Sequence, residues 1–142
     1  MKKTSVMPVV QREKTGCGIA SVAALAGVSY ARAKAEANRC GIFAQDPMLW
    51  SDTAYVRSLL RRFGISVSRN EHKFIFWEKL PDLALLAIKW HLEKGKPFWH
   101  WVVFVRDNES AYVLDSKKAL KKNKRTDFGR MQPKWFIEVD VR

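Results

Sequence analysis

The chain has 142 residues, of which 47% are hydrophobic, and it includes six Trp and eight Phe. This apolar share excludes a disordered chain, and the length suits one ordinary domain, which we place at residues 1–142. The formal net charge of +12 predicts attraction to anionic partners such as nucleic acid, acidic peptides or a membrane surface, although it also serves solubility.

Three helices are predicted in the first half of the chain. Residues Cys17–Ala26 are small and mostly apolar on all sides, which is typical of a short buried helix. An alanine-rich helix follows at Tyr30–Arg39, with Ser29 as its N-cap. Ser51 or Asp52 is the predicted N-cap of the third helix, in which apolar residues keep helical spacing to Phe63. A glycine follows each helix within two residues and marks its end.

Strand patterns dominate the second half of the chain. Residues 65–68 alternate in polarity, and the nearly continuous apolar run 83–90 predicts either a buried strand or a buried helix. Residues 99–106 and 111–115 are predicted strands joined by a hairpin turn, and 135–141 is the last strand. Helices first and antiparallel strands second predict an α+β domain, with N-terminal helices packed on a C-terminal antiparallel sheet.

The cysteines and the start of the chain indicate the compartment. Cys17 and Cys40 are too few for a disulfide framework, and no Cys or His residues stand at metal-ligand spacing. We therefore expect free thiols, with Cys40 partly buried, and neither a metal nor a cofactor. No apolar run is long enough to span a bilayer, and residues 1–4 are not followed by the apolar core of a signal peptide. The sequence predicts a cytoplasmic protein, or a non-classically exported one if it is an effector.

A cysteine stands at the first residue of the predicted buried helix. Cys17 lies between two glycines, which would let a substrate backbone approach its thiol closely. The free N–H groups and the dipole of a helix N-terminus stabilise a thiolate. Gln11 precedes this cysteine by six residues. Taken alone, a cysteine in this position would be interpreted as a buried thiol.

A histidine and an aspartate complete the pattern on two neighbouring strands. His100 lies on an otherwise apolar face of its predicted strand, while Trp99 and Trp101 point to the opposite face, where we expect core. A hairpin would bring Asp115 back beside the start of the strand that carries His100. There, a carboxylate can orient the imidazole. His72 and His91 have no Cys or carboxylate partner at ligand spacing, and we interpret both as structural or solvated.

The order and spacing of four residues resemble those of papain-like cysteine peptidases: Gln11, Cys17, His100 and Asp115. The resemblance is strongest to the branch that includes the double-glycine leader peptidase domains of bacterial bacteriocin exporters. It implies that Cys17 is the nucleophile, His100 the general base and Asp115 the residue that orients the imidazole. It also implies an oxyanion hole formed by the side-chain amide of Gln11 and the backbone N–H of Cys17. The function implied is hydrolysis of a peptide or amide bond through a thioester on Cys17.

Two positions depart from that branch. The leader peptidases usually carry aspartate immediately before the cysteine, where this chain has Gly16, and proline after the catalytic aspartate, where it has Ser116. Both departures leave the four groups in place, so the resemblance bears more on the mechanism than on the substrate.

Other functions would use the same groups or none of them. A papain-fold effector toxin, a deamidase or an acyltransferase would share the triad, whereas a basic binding module for nucleic acid or an acidic protein would not need it. Residues 117–125 contain six basic residues and no acid, and we expect a solvated loop or an electrostatic guide for an acidic partner. No nucleic-acid-binding motif accompanies this run, so nucleic acid is the less favoured partner. The presence of both Cys17 and His100 favours an enzyme.

Overall fold

The computed structural model describes residues 6–108 and 110–140, and predictions that concern residues 1–4, 109 and 141 fall outside these ranges. Within them, three α-helices precede an antiparallel sheet. The helices are α1 (Cys17–Ala26), α2 (Tyr30–Arg39) and α3 (Ala54–Arg62). The strands are β1 (Ser66–Val67), β2 (His72–Lys73), β3 (Leu83–Glu93), β4 (Lys96–Asp107), β5 (Ser110–Leu114), β6 (Lys124–Arg125) and β7 (Pro133–Asp140). The predicted α+β architecture, with N-terminal helices packed on a C-terminal antiparallel sheet, is confirmed.

Capping residues set the helix boundaries. The Oγ of Ser29 accepts a hydrogen bond at 3.1 Å from the third backbone N–H of α2, as an N-cap does. Helix α1 ends at Gly27, which has the left-handed φ of 70° that favours glycine. Pro47–Ser51 forms a separate 3₁₀ turn before α3, and Oδ1 of Asp52, one of the two predicted caps, accepts a hydrogen bond from the first backbone N–H of α3 at 2.7 Å. None of the helices in the described ranges is long and apolar enough to cross a bilayer.

The sheet has the order β1-β7-β3-β4-β5-β6, and β2 also pairs with β7. The ambiguous apolar run is strand β3, which lies between β4 and β7. Strands β2 and β6 were not predicted, because their residues are all polar and show no alternation of polarity. Strand β6 lies inside the basic run and extends the sheet beyond β5, so that run is not loop throughout.

The two faces of the sheet have separate cores. On the helix side, α1 packs against β4, and Trp99 and Trp101 are 6% and 0% exposed, which confirms their prediction as core. On the other side, Val102 and Phe104 pack with residues of β3 and β5. Burying one such large side chain contributes about 1.5–3 kcal/mol. Together the two cores fix the relation of α1 to β4 and β5, the elements that carry Cys17, His100 and Asp115.

Candidate active site

Strand β5 stops short of the first half of β4, so a backbone N–H there can hydrogen-bond to α1 instead. Strand β5 pairs with β4 from Val103 onward, where its last residue, Leu114, lies opposite. Just before this point, the backbone N–H of Trp101 donates a hydrogen bond to Sγ of Cys17 at 3.4 Å. The first residue of α1 therefore places its thiol against the edge of β4, next to the residue that precedes Trp101 along the strand. That residue is His100.

The imidazole of His100 contacts the first residue after β5. Its Nε2 lies 2.7 Å from Oδ1 of Asp115, and the two side chains are 23% and 2% exposed respectively. The hairpin register that brings these residues together is the one predicted. Because Nε2 faces the carboxylate, the other ring nitrogen of His100 remains for a second partner.

Cys17 is close enough to the His100 ring to affect its pKa. Burial alone would lower the pKa of His100, but hydrogen bonds to Asp115 and Cys17, and the charges on the same two residues, raise it to about 10. The imidazole therefore carries its proton at neutral pH.

Asp115 is a buried carboxylate with a partner on each oxygen. Oδ1 also accepts from the backbone N–H of Lys117 at 3.1 Å, and Oδ2 accepts from Nη1 of Arg125 at 2.8 Å. Burial raises the pKa of Asp115, but the hydrogen bond and charge of His100, with the hydrogen bond from Arg125, bring it below its ordinary value. The aspartate is therefore an anion at neutral pH.

Gln11 is buried, and its side-chain amide faces its own loop. Nε2 donates to the backbone carbonyls of Glu13 at 2.8 Å and Lys14 at 3.0 Å, and Oε1 accepts from the hydroxyl of Ser116 at 2.6 Å. The backbone N–H of Gln11 also donates to the carbonyl of Ser116 at 2.9 Å. The structure thus brings Cys17, His100 and Asp115 together, with a hydrogen bond between His100 and Asp115, while the amide hydrogens of Gln11 donate to its own loop.

Comparison with known proteins adds information about the fold. No family model and no curated protein matches the sequence. Among solved structures, a double glycine motif protease from an AMS/PCAT transporter, crystallised in complex with the leader peptide, matches with a TM-score of 0.60. The match covers 95% of this chain and 91% of that chain at 17% sequence identity. The chain has the fold of a papain-like peptidase domain.

The glycines that flank Cys17 in this papain-like domain have a packing role. A Cβ added at Gly16 would lie 2.3 Å from the hydroxyl of Tyr30, and one at Gly18 would lie 2.0 Å from the hydroxyl of Tyr55. Each glycine therefore makes room for a tyrosine packed against the start of α1. The predicted approach of a substrate backbone at these glycines stays a prediction.

Several residues near the site were not predicted. Arg125 belongs to the basic run yet turns inward to Asp115, and Asn123 hydrogen-bonds the backbone carbonyl of Asp115 at 2.7 Å. Ser116 was noted only as a departure from a related branch, and its contact with Gln11 gives it a structural role. The sequence signal for Arg125 is weak: an acid, Asp127, two residues later.

The remaining cysteine and histidines differ in part from expectation. Cys40 is a free thiol but is exposed rather than partly buried. His91 does have a carboxylate partner, since its Nε2 lies 2.8 Å from Oε2 of Glu93, whereas exposed His72 packs its ring near Phe136. His91 also lines a cavity of about 190 Å³ next to His100, together with aromatic side chains that include Trp50, Phe98 and Trp99.

Proposed function

We propose that the protein is a cysteine hydrolase that cleaves a peptide or amide bond through a thioester on Cys17. The observation that carries this proposal is the position of His100, which is hydrogen-bonded to the buried carboxylate of Asp115 and interacts electrostatically with the nearby thiol of Cys17. The donation from the backbone N–H of Trp101 to the sulfur supports it further. If these three residues served only to pack the core, there would be no reason to place a thiol, a cationic imidazole and a buried carboxylate side by side.

In the proposed reaction the thiolate of Cys17 attacks the carbonyl carbon and forms a C–S bond. His100, which holds a proton at neutral pH because of its raised pKa, gives that proton to the leaving nitrogen as the C–N bond breaks. A water molecule then attacks the thioester, His100 accepts its proton, and the C–S bond breaks to release the acid. Asp115 holds the imidazole so that Nε2–H faces the carboxylate and the other nitrogen faces the sulfur.

The oxyanion that forms in this reaction requires hydrogen-bond donors. Cys17 is the first residue of α1, where backbone N–H groups have no acceptor within the helix, so its own N–H is a suitable donor. Gln11 is the proposed second donor. Because both of its amide hydrogens donate to loop carbonyls in the structure, this role requires one of those bonds to exchange for the oxyanion.

Peptide is the proposed substrate class. The solved structure that shares the fold is a protease that binds a leader peptide, and the aromatic cavity beside His100 suits a peptide side chain. The lysines that follow Asp115 are exposed and would attract acidic residues of a substrate or protein partner: Lys117, Lys118, Lys121 and Lys122. Deamidase, acyltransferase and toxin activities of the same triad differ in the acceptor, and mass analysis of reaction products separates them.

Competitive labelling with iodoacetamide tests the proposal within one molecule. Cys40 is exposed and Cys17 is 1% exposed, so access alone would make Cys40 the faster thiol. We expect Cys17 to be labelled faster at pH 7, and His100→Ala to reduce its rate toward or below that of Cys40. His72→Ala, at an exposed histidine on β2, is the matched control. Slower labelling of Cys17 than of Cys40 in the wild type would favour a non-catalytic binding module instead.

A further inference from the structure

The basic run has two parts with different surroundings. Its lysines at 117–122 are exposed, whereas the side chain of Arg125 is 15% exposed. Arg125 lies on β6, which pairs with β5 so that Val113 is opposite Arg125. This register brings the guanidinium to the residue just beyond β5, where Nη1 donates to Oδ2 of Asp115 at 2.8 Å. The last residue of the run therefore has a role other than surface charge.

The guanidinium of Arg125 is itself held from the other side. Its Nε donates to Oδ1 of Asp127 at 2.8 Å and its Nη2 donates to Oδ2 at 2.7 Å. Two parallel bonds between a planar guanidinium and a carboxylate fix the orientation of both groups, which a lysine cannot reproduce. Asp127 thus holds Arg125 in the position from which it reaches Asp115.

The carboxylate of Asp115 is constrained on both oxygens by different groups. Oδ1 faces His100 and Oδ2 faces Arg125, so a rotation of the carboxylate would break both contacts. Its backbone is fixed as well, because its N–H donates to the carbonyl of Asn123 at 2.8 Å and its carbonyl accepts from the amide of Asn123. The charged groups that face Asp115 are His100 on β4 and Arg125 on β6, and Asp127 lies on the far side of Arg125.

We propose that Arg125, held by Asp127, is a positioning residue that fixes Asp115 with Oδ1 toward His100 and keeps it ionised. This inference rests on the proposed function of Cys17 and His100. If Arg125 is removed, the buried carboxylate loses one of two cationic partners and becomes easier to protonate. As the pH falls, Asp115 is then protonated at a higher pH than in the wild type, and His100 loses its anionic partner there. Cys17 and His100 themselves are unchanged.

The test measures the rate of Cys17 labelling by iodoacetamide as a function of pH in the full chain. We expect Arg125→Gln to move the acid-side fall of the labelling rate to a pH about one unit higher. At pH values below that transition, the variant should be labelled about tenfold more slowly than the wild type. Asp127→Asn should shift the acid-side transition by a smaller amount in the same direction. The transition of Arg125→Lys should fall between those of Arg125→Gln and the wild type. Lys124→Gln, which removes one charge from the same strand, should leave the profile unchanged.

Titration of the His100 ring by NMR gives a second readout that does not depend on catalysis. With three histidines in the chain, the His100→Gln variant assigns the signal. Arg125→Gln and Asp127→Asn should each change the His100 titration while His72 and His91 keep theirs. The proposal would be overturned if both variants kept the wild-type titration and labelling profiles. It would also be overturned if the labelling rate fell equally at every pH while the His100 titration stayed the same. Failure of Cys17 to outpace Cys40 in the wild type would instead refute the hydrolase function and leave the NMR test intact.

Discussion

At the scale of single residues, Gln11 has the least expected surroundings. The resemblance that pointed to it implies an amide directed at the substrate, yet its hydrogens bind Glu13 and Lys14. Ser116 holds the amide oxygen, so the orientation of the amide is defined by three partners. Gln11 therefore has a loop-stabilising contribution in addition to any part in the reaction, and a substitution has to separate the two.

Replacing Gln11 with alanine separates them by comparing kcat with stability. If an N–H of Gln11 stabilises the oxyanion, Gln11→Ala lowers kcat by about 10²–10³, as loss of one oxyanion donor does. Loss of its loop hydrogen bonds also lowers the free energy of unfolding by about 1–3 kcal/mol. Gln45→Ala, at an exposed position, is the control for both measurements. A destabilised variant with an unchanged kcat would show that Gln11 serves the loop alone.

At the scale of elements, the start of α1 depends on close packing against α3. Gly18 is the second residue of α1, and within a helix alanine is ordinarily better than glycine by roughly 0.5–1 kcal/mol. Here a Cβ would lie 2.0 Å from the hydroxyl of Tyr55 and 2.7 Å from its Cζ, inside a fully packed core. The tyrosine leaves no room for the added methyl group, so steric overlap outweighs the gain in helix propensity.

We therefore expect Gly18→Ala to lower the free energy of unfolding by about 1–3 kcal/mol, measured by urea denaturation. Gly129→Ala is the matched control, because a Cβ at Gly129 meets nothing within 4 Å, and it should be neutral or slightly stabilising. Adding Tyr55→Phe to Gly18→Ala should recover part of the loss by removing the hydroxyl. An alanine at residue 18 that stabilises the protein would contradict this account of the glycine.

The same elements show how far sequence reasoning extends. Helix ends marked by Ser29 and Gly27, and the hairpin that joins His100 to Asp115, depend on local patterns and were predicted correctly. Contacts that depend on the pairing of β6 with β5 were not predicted. Arg125 reaches Asp115 because β6 pairs with β5. The residues of β6 are both basic, so the sequence shows no alternation of polarity that would predict a strand there. The expectation that Cys17, His100 and Asp115 act together in catalysis stays a prediction until the labelling experiment is done.

At the scale of the whole molecule, positive charge is concentrated beside the candidate site. The chain carries a formal net charge of +12, and the exposed lysines of residues 117–122 directly follow Asp115. Arg125 contributes little to this field because Asp115 and Asp127 both neutralise it. The exposed lysines, rather than the whole basic run, are therefore the groups that would attract an anionic reactant.

Iodoacetate and iodoacetamide measure this field because they share one alkylation reaction and differ in charge. We expect the ratio of their rates at Cys17, iodoacetate over iodoacetamide, to fall as salt rises from 10 mM to 1 M, because the Debye length shrinks from about 30 Å to about 3 Å. A unit charge about 10 Å from the reacting sulfur would contribute about 0.4 kcal/mol in water, so removing two such charges with Lys121→Gln and Lys122→Gln should lower the low-salt ratio by up to roughly fourfold. The ratio isolates the attraction of the anionic reagent, because both reagents react with the same thiolate and any change in the thiolate fraction cancels. A ratio that is insensitive both to salt and to the two lysines would mean that the charge serves solubility and not recognition of an acidic substrate.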